Sequence, residues 1–98
     1  MSEPLHWTVA DGCLILSGEL DHQTLLPLWQ QRGSLVEQIK QVDVAGLSHV
    51  DTAGLAVLVH LRHGAAEKNE ELSFFGITEK LSSLIRLYNL QYLINFVE

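Results

Sequence analysis

Asp51 and Thr52 stand at the head of an apolar helical pattern, Val50-Asp51-Thr52-Ala53-Gly54-Leu55. A threonine hydroxyl at that point can accept an amide of the first turn as an N-cap. The box is one-sided, because the position three residues on is Leu55 and not Glu or Gln. The same position suits display. A helix N-terminus carries unpaired amides and partial positive charge, so it tolerates an anion or a partner's acceptor. A phosphate on Thr52 would bring about −1.5 to −2 charges, and Asp51 beside it opposes that. Cap and displayed contact both remain open on the residues alone.

His60, His63 and Glu67 lie three and four apart, on one helical face. Two imidazoles and a carboxylate could bind zinc, but no fourth ligand is specified. No metal is expected. Asp43 and Asp51 flank one loop and could be imagined as an acid/base pair; cap and turn roles fit them better. Cys13 falls in an apolar strand pattern, which suits a small buried residue more than a nucleophile. The seven glycines form no phosphate loop and no dinucleotide fingerprint. No serine sits in a GxSxG elbow. No cofactor and no catalysis are expected; the chain reads as an interaction module.

The helix after Thr52 sets Leu55, Val57, Leu58, Val59 and Leu61 over a broad arc, wider than a surface helix needs. The opposite stripe is Ala53, Ala56, His60, His63 and Glu67. Small residues in its first two turns let another chain approach closely. The alternative is a solvated face of helix-favouring alanines.

The elements that must position this segment follow from periodicity. Leu5, Trp7 and Val9 alternate as in a half-buried strand. Asp11-Gly12 favours a tight hairpin turn, and Cys13 to Ser17 returns as an internal strand closed by Gly18-Glu19-Leu20-Asp21. The spacing predicts a helix over His22 to Gln41, capped by Thr24, with Pro27 in its first turn and Gly33-Ser34 as a kink. Val42 to Ala45 predicts a short strand, Gly46 to Asp51 a loop, and Ala53 to Asn69 a helix. Leu72 to Phe75 is a strand ended by Gly76. Thr78 caps a last helix with Leu81, Leu84, Ile85 and Tyr88 on one stripe. The tail from Leu90 to Glu98 is apolar but of no assignable type. The fold class is α/β: a small mixed sheet, an N-terminal hairpin plus parallel strands, with packed helices in one domain over 1–98.

Composition narrows the function classes. Apolar residues are 47% and charged residues 18%, which is globular and not disordered. A lone cysteine permits no internal disulfide. No signal-peptide pattern opens the chain, and no apolar stretch approaches the ~20 residues of a membrane span. Six basic against twelve acidic residues give a net charge of −6, which disfavours nucleic acid and direct docking on anionic lipid.

Taken in order, Gly18-Glu19-Leu20-Asp21, Val42-Asp43-Val44 and Val50-Asp51-Thr52-Ala53-Gly54-Leu55-Ala56-Val57-Leu58 resemble the STAS family. That family includes anti-anti-sigma factors and cytoplasmic tails of anion transporters. Leu25-Leu26-Pro27-Leu28-Trp29, His60-Leu61 and Leu87-Tyr88-Asn89-Leu90 point to its Mla branch, small cytoplasmic subunits of a phospholipid-trafficking ABC transporter that maintains outer-membrane lipid asymmetry. The resemblance implies a STAS fold and a non-enzymatic subunit that binds the transporter's ATPase, within a complex with permease and lipid-binding subunits. It implies a cytoplasmic location, peripheral at the inner membrane, without membrane insertion. It implies that Thr52 matters for contact with the ATPase; the contacts expected around it and along the following helix are Val50, Asp51, Thr52, Ala53, Ala56 and His60. Thr52 falls on the position phosphorylated in the anti-anti-sigma branch, so a kinase-regulated switch is the rival expectation. The chain departs from the family's Asp-Leu-Ser, having Asp43-Val44-Ala45.

Overall fold

A computed structural model describes residues 4–90 and the backbone of Phe96–Val97. The chain opens with strand β1, His6–Ala10, and strand β2, Cys13–Leu20, paired antiparallel. Asp11 and Gly12 between them have φ of 50° and 76°. Two successive positive φ values give the turn whose twist matches a hairpin, and Asp-Gly tolerates them.

Helices α1, Leu26–Gln30, and α2, Arg32–Val36, follow, then strand β3, Gln41–Val50, and helix α3, Thr52–Glu67. Strand β4, Ser73–Phe75, helix α4, Glu79–Leu87, and strand β5, Phe96–Val97, complete the order. The sheet runs β1-β2-β3-β4-β5, parallel from β2 onward. Strand order advances in one direction, so right-handed crossovers put every connecting helix on one face. The burial pattern agrees. Leu14, Leu16, Val42, Val44 and Phe74 are buried under Leu28, Leu35, Leu55, Leu58, Leu61, Leu81 and Ile85, while Ile15 on the other face stays exposed.

Four expectations are corrected. The helix expected over His22 to Gln41 is two short ones, broken at Gln31 and not at Gly33-Ser34. At the break the Arg32 guanidinium donates to the Trp29 carbonyl at 2.8 Å, and the two pieces separately bury Leu28 and Leu35. Thr24 caps neither piece: its hydroxyl donates to the Glu19 carbonyl at 2.7 Å and accepts the Asp21 N–H at 3.0 Å. Buried Asp21 governs that turn, its Oδ1 accepting from the N–H groups of Gln23 and Thr24.

Gly46 to Asp51, expected as a loop, is strand as far as Val50. Gly46 falls where the β2–β3 register shifts, opposite Ser17, and a Cβ there would press on the Leu16 carbonyl. The glycine permits close pairing at an irregularity instead of ending the strand. Tyr88, placed on the buried stripe of the last helix, is half exposed, because α4 ends at Leu87 and the chain turns through Asn89 at φ 56°. Thr78 does cap α4, accepting the Leu81 N–H at 3.2 Å. The tail from Leu90 keeps Leu90 packed on the core and supplies β5; residues 91–95 and 98 lie outside the described residues.

Candidate partner-binding face

Strands β2 and β3 end side by side, Leu20 in register with Val50. The carboxyl ends of parallel strands are where an open α/β sheet exposes loops and helix starts together. Here the chain leaves β3 at half-buried Val50, turns once at Asp51, and enters α3.

Asp51 is the N-cap, with extended backbone (φ −96°, ψ −176°) and Oδ1 accepting the Gly54 N–H at 2.8 Å. Thr52, considered above as the cap, is the first helical residue. The sequence Asp-Thr admits either cap, and the strand's length decides. Because β3 runs to Val50, the first residue free to turn is Asp51, which also caps well. Thr52 is therefore left exposed, and its hydroxyl takes part in none of the hydrogen bonds among the described residues.

Asp51 does more than cap. Its Oδ2 accepts the His22 N–H at 3.0 Å and lies 2.9 Å from His22 Nδ1, while its own N–H reaches the Leu20 carbonyl at 3.3 Å. Burial pushes the Asp51 carboxyl up, but the Gly54 N–H and both His22 groups outweigh it and hold the pKa below the ordinary 3.8. The Asp51 hydrogen bond raises His22 above its ordinary 6.5. Gly54 lets α3 start this close to β2: a Cβ there would collide with the Leu20 carbonyl oxygen.

Leu55, Leu58 and Leu61 are buried and hold α3 to the sheet. On the far side Thr52, Ala56 and His60 form an exposed stripe with Ala53 half-buried beside it. The structure thus gathers all six expected contact residues at the head and outer stripe of one helix.

Two residues given no role by pattern alone extend this face. The Trp29 ring meets the His60 imidazole edge-on at 5.0 Å between centroids, and the Arg32 guanidinium lies 3.6 Å over the Trp29 ring. The groove between α2 and α3 that they line, with His63 and Gly64, encloses about 510 Å³. Two signals were present: a tryptophan among helical apolar residues, and an arginine three positions later.

The histidine stripe pairs locally. His63 Nε2 lies 3.2 Å from Glu67 Oε1, with both side chains largely exposed. Among the described residues no three His, Cys, Asp or Glu side chains are placed to hold a metal ion. Asp43 and Asp51 serve separately, Asp43 Oδ1 accepting the Ala45 N–H at 2.9 Å. Burial, and then the Asp43 charge, push the Cys13 thiol up against a lowering hydrogen bond to the Asp43 backbone, which disfavours the nucleophilic thiolate.

The family profile described as Mlab, STAS domain, matches residues 5–95. The chain belongs to the STAS-domain family. Within it the chain is 43% identical over 90 residues to the intermembrane phospholipid transport system binding protein MlaB of Escherichia coli K12, covering 92% of this chain and 93% of that one. It is 33% identical over 91 residues to the protein of the same name from Haemophilus influenzae, covering 86% and 87%. STAS folds with little sequence in common also superimpose. An anti-sigma factor antagonist of Mycobacterium paratuberculosis matches with a TM-score of 0.75 at 20% identity, over 97% of this chain and 85% of that one. Unphosphorylated SpoIIAA, an anti-sigma factor antagonist, matches at 0.69 and 12% identity, over 96% and 87%. At such identities the likeness is one of STAS fold alone.

Proposed function

We propose that the chain is a non-enzymatic subunit of an intermembrane phospholipid-transport system. It binds the ATPase subunit of the ABC transporter through the face around Thr52 and supports that subunit's assembly and activity. The observation that carries the reading is the division of labour at the head of α3: Asp51 caps the helix, and Thr52 is exposed with its hydroxyl uncommitted. Ala53 and Ala56 keep the approach shallow, and His60 with Trp29 supplies aromatic surface at its edge. The names of the relatives at 43% and 33% identity support the transport system as the setting.

Val50, Asp51, Thr52, Ala53, Ala56 and His60 are the proposed contacts. A few central residues carry most of an interface's energy, and aromatic residues are frequent among them. The subunit acts by favouring one ATPase conformation, which requires different affinities for the two states. It sits at the cytoplasmic side of the inner membrane through the ATPase, in a complex with permease and lipid-binding subunits. Among the described residues no helix is long and apolar enough to cross a membrane.

The test is affinity capture of the tagged chain from native membranes in mild detergent, read by mass spectrometry. Recovery of an ABC ATPase with its permease, abolished in Thr52→Ala, is the expected result. The rival reading uses the same exposed hydroxyl as a phosphorylation site that expels a partner by charge and bulk. Recovery of a serine/threonine kinase without a transporter would replace the proposal with that switch.

A further inference from the structure

His22 lies in the turn after β2, with its side chain 71% exposed. Both its backbone N–H and its imidazole Nδ1 nonetheless converge on Asp51 Oδ2, 29 residues away in sequence. The other oxygen of that carboxylate caps α3 through Gly54. One carboxylate thus couples an exposed imidazole to the first turn that presents Thr52. The charged neighbours of His22 are Asp51 and Asp21; the Asp21 carboxylate is turned into its own loop, onto the Gln23 and Thr24 N–H groups. Glu19 and His49 pair in register one step earlier along β2 and β3.

We propose that His22 is a proton-linked positioning residue of the docking face: closing a partner over Thr52 takes up a proton at His22, so binding tightens as pH falls through neutrality. The inference rests on the docking reading above and adds its regulation. With His22 neutral, its Nδ1 proton still donates to Asp51, but the pair keeps a net negative charge. With His22 protonated, the pair is neutral overall. A partner seated over Thr52 removes water from a carboxylate whose side chain is 26% exposed and from the ring beside it. Desolvation penalises an uncompensated charge far more than a paired one, so the covered state prefers the imidazolium. In the isolated chain the Asp51 hydrogen bond already favours that form.

Titration calorimetry of the full chain with the purified ATPase subunit, at pH 7.5 in phosphate and in Tris, tests this. Proton uptake makes the two apparent enthalpies differ. Affinity rises by at most about tenfold per pH unit lowered, the limit for one proton. His22→Asn supplies an amide that can still donate to Asp51 but does not titrate; it is expected to bind with no buffer difference and a flat pH profile. Binding of the parent without proton uptake overturns the proposal. So does uptake that survives in His22→Asn, which would place the proton on a group other than His22.

NMR of the chain alone tests the positioning separately. The Gly54 amide is expected to shift with the same inflection as the His22 ring. A Gly54 amide unmoved across that titration overturns the link. Absence of ATPase binding at every pH removes the docking reading and the proton uptake with it, while the Gly54 titration still decides the coupling.

Discussion

Trp29 stands edge-on to His60 and beneath the Arg32 guanidinium, so one ring joins the break between α1 and α2 to the outer stripe of α3. Neither helix piece is long enough to be stable alone. The ring is one of the contacts that fix their placement against α3. Trp29→Ala is expected to cost about 1–3 kcal/mol, less than a fully buried tryptophan because the ring is only partly buried, and to weaken partner capture. Chemical denaturation and titration with the ATPase check the two effects separately. Unchanged stability and affinity together would leave the ring with neither role.

Asp51 and Thr52 are adjacent and are expected to separate cleanly. Asp51→Ala removes the cap and is expected to lower stability by about 1–2 kcal/mol. Thr52→Ala touches an exposed residue with no hydrogen bond to lose, so stability should move by less than about 0.5 kcal/mol. Partner affinity should nevertheless fall at least about tenfold, the effect expected of a central interface residue. Melting curves beside binding isotherms decide it. A Thr52→Ala chain that melts far below the parent would mean that the hydroxyl has a structural use after all.

Gly54→Ala tests the closeness of α3 to β2. The new methyl group meets the Leu20 carbonyl oxygen, which is backbone and cannot rotate away. Helix propensity alone would favour alanine by about 1 kcal/mol. The collision is expected to outweigh that and leave the variant about 3 kcal/mol less stable. A variant as stable as the parent would show that the helix can lift off β2 at no cost.

Stability should also depend on pH through His22 and Asp51. The His22 pKa is raised on folding, so its contribution is complete below 6.5 and disappears as pH rises through the folded value. The Asp51 pKa is lowered, so its contribution is complete above 3.8 and disappears as pH falls through the folded value. Both are present between 3.8 and 6.5. Urea midpoints should therefore be higher at pH 5.5 than at pH 8.5, with His22→Asn reducing the difference. An equal difference in the variant would assign the pH dependence to other groups.

Periodicity made most of the fold legible. The hairpin could be read because Asp-Gly is one of few pairs that accept two positive φ values, and α4 because Thr78 caps a clear amphipathic stripe. The errors came where a long-range contact overrode a local signal. Gly46 reads as a loop residue, yet it serves strand pairing at a register shift. Thr24 reads as a cap, yet the Glu19 carbonyl and buried Asp21 claim its hydroxyl. At the candidate face the proximity of the six proposed contacts was legible because they fall within one strand-to-helix segment. Asp51 as the cap was hidden by uncertainty over where β3 ends. His22 was hidden by the 29 residues separating it from Asp51, a distance no local pattern spans.

The placement of the Asp11-Gly12 turn has a practical consequence. It begins β2, and the Thr52 face lies where β2 ends. Eight residues of strand span roughly 25 Å. The molecule therefore has a handle at one pole and the proposed contact surface at the other. A surface tether or a fluorophore placed at the hairpin pole would leave the opposite pole unobstructed, so immobilisation there preserves whatever recognition Thr52 provides.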